Sequence, residues 1–408
     1  MFKRILNFFK KNLLATVALA VVLGIALGQF MPLWFVRIFI TFDGLFSSLL
    51  AFTVPLLILA LITSAIVETD KGVGKMLIWT LSLSYVSTVI AGLFTFGVSD
   101  LVFPMIINEQ VDSTVALAEG VSSAALVPYF KIDFPPLMDT MSALLLSFIL
   151  GFAILKYNHH SIKSGVIELK DVVMMIINSI ILPLLPIYIF GMFLKMTVSG
   201  EMNMVIKVYS KVILVMIVLF IVWLLIQYII AGIIAKRNPF KSLRTMFPAL
   251  FTALASSSSA ATLPVTLRCA NKMGVRHNVV NFVIPMCANI HLSGASIRTI
   301  ALAVATMLMY GVTYNFSLYF VFIMIFSITV LAAPGIPGGV IMAATGMIQS
   351  MLGFTDPMIA IMITLSIALD SLGTAVNVTG DGALMLIVNK VTAEDAGDDS
   401  LKAAGVEN

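Results

Sequence analysis

Runs of eighteen or more apolar residues recur along the whole length of this sequence, and they decide the fold class before any motif is read. The spans fall roughly at 13–35, 42–67, 76–103, 137–155, 170–194 and 205–235. Residues 242–392 stay apolar but are broken repeatedly by Ser, Gly and Pro. With 60% hydrophobic and 11% charged residues and a mean hydropathy of +1.08, the chain lacks the charged surface a soluble domain needs. The expectation is an all-α polytopic membrane protein. Its first apolar run is long for a signal-peptide core and has no small-residue cleavage site, so it reads as a retained helix. Cys269 and Cys287 match no metal spacing and read as small core residues. The net charge of +4 comes mostly from loops and gives no sign of a nucleic-acid partner.

Short cytoplasmic loops hold an excess of Lys and Arg, which orients the spans. Lys3, Arg4, Lys10 and Lys11 begin the chain; Lys71 and Lys75, Lys156 and Lys163, Lys236 to Arg244, Arg268 to Arg276, and Lys390 mark later inner loops. The loop near 104–135 carries Glu109, Asp112, Glu119 and Asp133 against Lys131 and reads as outer. Lys195, Lys207 and Lys211 sit against this pattern. Both termini come out cytoplasmic, in a cell (inner or plasma) membrane. The final stretch, 393–408, is a polar, acidic tail with a composition that points to disorder.

Two segments cannot be plain membrane helices. ALASSSSAATLPVT (253–266) lies between basic clusters ending at Arg244 and starting at Arg268, with 23 residues between them. One crossing takes about 20 residues, so this stretch must dip in and turn back at its serines. Backbone of that kind is tolerated at membrane depth where it is buried in protein or lines a wet cavity. Residues 316–355 repeat the pattern, broken at AAPGIPGG (332–339). Two broken segments of opposite orientation are the mark of an inverted-repeat transporter core, with substrate and ions near the midplane.

Ionisable groups inside a membrane default to function. The last span carries Asp370, Thr374, Asn377 and Asp381, at offsets that fall in a stripe roughly 60° wide on a helix. The two carboxylates lie about 16 Å apart along the axis, too far for one small ligand. One acid suits a substrate ammonium; the other, with oxygen ligands nearby, suits a hard cation. In the preceding span, Gly294 between Ser293 and Ser296 suggests a local unwinding. His291 there reads either as a neutral, hydrogen-bonded side chain or as a proton carrier. Arg298 needs an anionic partner at that depth, either Asp370 or a substrate carboxylate.

TLPVT after a serine-rich tip, PGIPGG in a second hairpin, and a final helix with Asp370 spaced from Thr374 and NVTGD together resemble the dicarboxylate/amino acid:cation symporter family, the glutamate-transporter superfamily. The resemblance covers essentially the whole chain. It implies eight transmembrane helices plus two re-entrant hairpins, a homotrimer, and an elevator in which a hairpin-bearing domain slides against a scaffold. Residues 1–235 would be mainly scaffold, with helices 3 and 6 partly in the moving domain; 242–392 would be the transport core and 393–408 a cytoplasmic tail. It also implies a substrate amino group near Asp370, and an α-carboxylate near Asn377, Ser257, Ser258, Ser259 and the second tip (Ile336, Pro337, Gly338). A sodium ion would lie near Asp381 and Asn377.

Three departures from the pattern bear on specificity. Acidic-substrate members carry an arginine where this chain has Gly373, or supply one from the first tip, where it has Ser257. Their threonine is matched by Ala295. A substrate carboxylate would then be desolvated with no cation to meet it, so a small neutral amino acid fits better. The SSAA run (258–261) also resembles the serine/threonine branch. The family's NMDGT motif is matched by residues 291–295, with Ser293 replacing its acid. An additional sodium site built from His291, Ser293, Ser87 and Thr88 therefore loses its charge, which implies fewer coupled sodium ions, with a proton on His291 as the alternative. The alternative substrate is an anionic amino acid or dicarboxylate clamped by Arg298; the alternative class is an ion channel. The sequence contains no catalytic triad, metal cluster or nucleotide loop of an enzyme.

Overall fold

The computed structural model describes residues 13–67, 74–107, 126–132, 134–138, 140–157, 160–200, 202–331 and 338–403. The N-terminal basic residues, the outer-loop acids and the second tip with Ile336 and Pro337 lie outside the described residues. All regular structure among the described residues is helical. Six helical stretches among them are long and apolar enough to cross a membrane.

Helix α1 (Leu13–Gly28) is followed by α2 (Leu33–Val67) and α3 (Gly74–Ile106). The sequence suggested a break near residues 36–41, but the chain turns earlier, at 29–32, where Pro32 suits a helix start. Arg37, which interrupts the apolar run, stays helical. Its Nε donates to the Val127 carbonyl at 3.0 Å and its guanidinium lies 4.2 Å over the Tyr129 ring. Next come α4 (Thr140–Tyr157) and α5 (His160–Ile176), then a π-helical turn at Ile177–Ile181 that leads into α6 (Leu182–Val198), and α7 (Met202–Ala235). One lysine that fitted the charge pattern poorly is held locally. Lys211 donates to the carbonyl of Ile106 at 2.9 Å, capping the last residue of α3.

From residue 236 the helices shorten. They are α8 (Pro239–Thr245), α9 (Phe247–Ser256), α10 (Ser259–Asn271), α11 (His277–Ile290), α12 (Ser293–Met309), α13 (Phe316–Leu331), α14 (Gly339–Leu352), α15 (Asp356–Ala368) and α16 (Asp370–Ala403). Helices α9 and α10 fold back on each other, as do α13 and α14. Helix α12 is buried along almost its whole length, packed between α3, α7 and α16. Helices α1, α2 and α4–α6 pack mainly among themselves, touching the rest through α7, α13, α14 and α15. Cys269 and Cys287 are free and buried. Helix α16 runs to Ala403, well into the polar tail where composition pointed to disorder. That stretch has no proline, and extending an existing helix avoids the nucleation cost.

Candidate functional site

Three interruptions of helix converge. The first is at Ser257 and Ser258. Ser257 takes a left-handed conformation (φ 50°) and Ser258 an extended one, from which its Oγ accepts the Ala261 amide at 3.2 Å and caps α10. The Ser256 and Thr262 hydroxyls pair across the turn at 3.1 Å. Pro264, inside α10, cannot donate to the carbonyl of Ala260, which is left for other partners. The second interruption is at His291–Leu292, between α11 and α12, and the third at Leu369, between α15 and α16. The sequence placed the unwinding at Gly294, but this residue is already helical. A Cβ there would overlap the carbonyl oxygen of Gly373, so the glycine serves the close crossing of α12 and α16.

Around these breaks lies a cavity of about 70 Å³. Ser257, Ser258 and Ser259 line it from the first tip, Ala295 and Arg298 from α12, and Asp370, Gly373, Thr374 and Asn377 from α16. All nine were singled out in the sequence. Gly338 caps α14 with φ 76° but does not line the cavity; Val340, two residues on, does. Ala260, Ala288, Asn289 and Leu292 complete the wall and were not foreseen: nothing in an Ala or a Leu of an apolar span marks the side it faces, whereas Asn289, an amide in such a span, carried a signal that was passed over.

Arg298 is buried (1% exposed), and its Nη1 donates to Asp370 Oδ1 at 2.5 Å, while its Nε and Nη2 have no partner. The cavity wall thus holds one positive and one negative charge, already paired. A Cβ on Gly373 would stand 3.3 Å from Arg298 Nη1, so the guanidinium sits against the position where the resemblance expects an arginine. Asn377 Oδ1 accepts the backbone amide of Gly294 at 2.8 Å. A backbone N–H can meet only the oxygen, so the orientation of this amide is fixed.

Behind the cavity lies a second polar cluster. His291 Nδ1 is 2.9 Å from Asp381 Oδ1; its Nε2 is 3.0 Å from Ser87 Oγ and 3.2 Å from Gln227 Nε2. Gln227 also donates to Ser87 Oγ at 3.0 Å and to Ser293 Oγ at 3.5 Å. Both ring nitrogens of His291 are engaged, leaving neither free for a metal ion. Asp381 is 1% exposed and its Oδ2 has no partner. Thr88, the next residue, donates within α3 to the Ser84 carbonyl at 2.8 Å. Gln227 was missed, although an amide inside an otherwise apolar run, LLIQYII, is the signal that finds such residues.

Interrupted helices meeting at a buried, charged cavity inside a largely apolar bundle define a polytopic membrane transporter. The profile of the sodium:dicarboxylate symporter family matches residues 13–391, and the chain belongs to that family. It is therefore a symporter and not an enzyme. Among curated relatives, it is 25% identical over 406 residues to a serine/threonine transporter of Streptococcus thermophilus CNRZ 1066, covering 95% of this chain and 98% of that one. It is 24% identical over 410 residues to a serine/threonine transporter of Acinetobacter baylyi, covering 93% and 98%. With a third, from Streptococcus agalactiae NEM316, identity is 26% over 347 residues, covering 83% and 85%.

Proposed function

We propose that this protein couples the entry of sodium to uptake of a small neutral amino acid of the serine, threonine or alanine type. The observation that supports it best is the charge balance of the cavity: Arg298 and Asp370 neutralise each other at 2.5 Å. A zwitterion adds no net charge to that site. A substrate with an extra carboxylate leaves a surplus buried negative charge, which is strongly unfavourable in a desolvated setting. The serine/threonine names of the relatives agree with this reading.

In this account the substrate ammonium binds at Asp370. Its carboxylate takes the Asn377 amide, whose oxygen is already committed to Gly294, and the hydroxyls of Ser258 and Ser259. Gly373 and Ala295 leave the side chain room. Sodium travels as co-substrate, and the unpartnered Asp381 Oδ2 is the strongest candidate to hold it. The engaged ring nitrogens give His291 the role of orienting Asp381, not of a ligand. Helices α9/α10 and α13/α14 act as two re-entrant hairpins beside eight transmembrane helices, both termini being cytoplasmic. Family membership supports a homotrimer in which residues 242–392 move against a scaffold drawn from 1–235.

A second reading, an anionic substrate, is favoured by one observation only: Nε and Nη2 of Arg298 have no partner and could complete a carboxylate clamp. A thermal-shift series separates the two. Under the first reading serine raises the melting temperature in sodium and not in potassium, and aspartate does neither. Stabilisation by aspartate alone would reverse the assignment.

A further inference from the structure

Between residues 202 and 355 the sequence has ten lysines and arginines and no aspartate or glutamate. Some of these cations are used internally. Arg298 pairs with Asp370, Lys211 caps α3, and Arg276 bonds to Asn389 and Thr392. Three others, Arg237, Lys241 and Lys272, line one cavity of about 410 Å³ between the end of α7, α8 and the turn after α10. No carboxylate lines it. Arg237 is fixed in its wall, donating to the carbonyls of Met273 and of Gly274, the latter at 2.9 Å. The backbone around it is tightly turned, with Lys236 at φ 53° and Gly274 at φ 64°. Arg237 and these turns give the cavity a shaped, positively charged wall, over which Lys241 and Lys272 stand exposed.

Beside it lies an apolar face that the protein leaves open. Phe240, adjacent in sequence to Lys241, is 63% exposed, and Phe247 and Phe251 on α9 are 42% and 63% exposed. Aromatic side chains next to basic ones are the pattern of a membrane–water boundary, and basic pockets between helices on the cytoplasmic side suit anionic head groups.

We propose that this cavity binds the phosphate of an anionic phospholipid, with Lys241 and Lys272 meeting the phosphate oxygens and the acyl chains lying along Phe240, Phe247 and Phe251. The ligand chemistry is a phosphate anion. The adjoining aromatic face selects the lipid over free phosphate. This inference is independent of the transported substrate.

The test is native mass spectrometry of the full-length protein loaded with phosphatidylglycerol or phosphatidylcholine. Arg237 is unsuitable for change because its loss strands two carbonyls, whereas Lys241 and Lys272 are exposed and Lys241→Gln/Lys272→Gln leaves the packing intact. The wild-type protein is expected to retain one more phosphatidylglycerol than this double variant, no difference arising with phosphatidylcholine. Lys156→Gln, at a basic residue outside the cavity, should retain as much as the wild type. Excess inorganic phosphate should not displace the lipid, and Phe240→Ser should weaken its retention. Equal retention by wild type and double variant overturns the proposal. Displacement by inorganic phosphate also overturns it, in favour of a soluble-anion site.

Discussion

Gly294 and Gly373 bring α12 and α16 into backbone contact beside the cavity: a methyl group on Gly294 would overlap the Gly373 carbonyl, while one on Gly373 would find its nearest atom, Arg298 Nη1, at 3.3 Å. The two glycines should therefore respond differently to the same change. Gly294→Ala is expected to destabilise by about 1–3 kcal/mol through overpacking and to lower uptake sharply. Gly373→Ala should cost less stability, since its nearest contacts stand at 3.3–3.5 Å instead of overlapping. Melting temperatures of the two purified variants check this; equal behaviour would mean that the crossing is looser than described.

The Arg298–Asp370 pair leads to a second expectation. Arg298→Met strands Asp370, which is 14% exposed, and should cost about 3 kcal/mol, the lower end for breaking a buried pair. Combining it with Asp370→Asn should recover most of the stability, because neither charge is then left unmatched, but not the uptake, because the ammonium site is gone. A double-mutant cycle on melting temperature, with uptake read in parallel, measures the coupling. Recovery of uptake in the double variant would remove Asp370 from the substrate site.

How much of this site could be read in advance depended on whether the signal was local. The serine tip, Arg298, Asp370, Thr374 and Asn377 stand out because polar groups are costly in an apolar span, and the structure draws them together, while Asp381 of the same stripe goes to the His291 cluster. The break at Leu369 and the break at His291–Leu292 have no Gly or Pro at the point of interruption, so packing and not propensity sets them. Gly294 misled for the related reason that a glycine signals either unwinding or close approach, and only the partner helix decides which. Gln227 reaches His291 from α7, across 64 residues of sequence, and the pairing is invisible without the fold.

Ser257 is held at φ 50°, where branched side chains are strongly disfavoured. Ser257→Gly should retain the turn and most uptake, whereas Ser257→Val should distort the tip and reduce uptake by at least about tenfold, the equivalent of about 1.4 kcal/mol. Initial uptake rates at matched protein levels test it. Full activity of Ser257→Val would show that the tip does not need this conformation.

Gln227→Leu removes the donors to Ser87 and Ser293 and the contact with His291, loosening the residue that orients Asp381. Half-saturation by sodium should shift to higher concentration by about tenfold, in line with the loss of an outer-shell partner. At saturating sodium the apparent affinity for amino acid should change little. A shift in amino-acid affinity alone would place Gln227 with the substrate and not with the ion.

The most direct measurement is accumulation of labelled serine, alanine and aspartate by the purified protein in liposomes, with an inward sodium gradient and with potassium replacing sodium. Sodium-dependent accumulation of serine or alanine without aspartate is the predicted result, following from a cavity in which Arg298 and Asp370, the two charged residues among its described lining, neutralise each other. Sodium-dependent accumulation of aspartate, or uptake of the neutral amino acids indifferent to sodium, would contradict it.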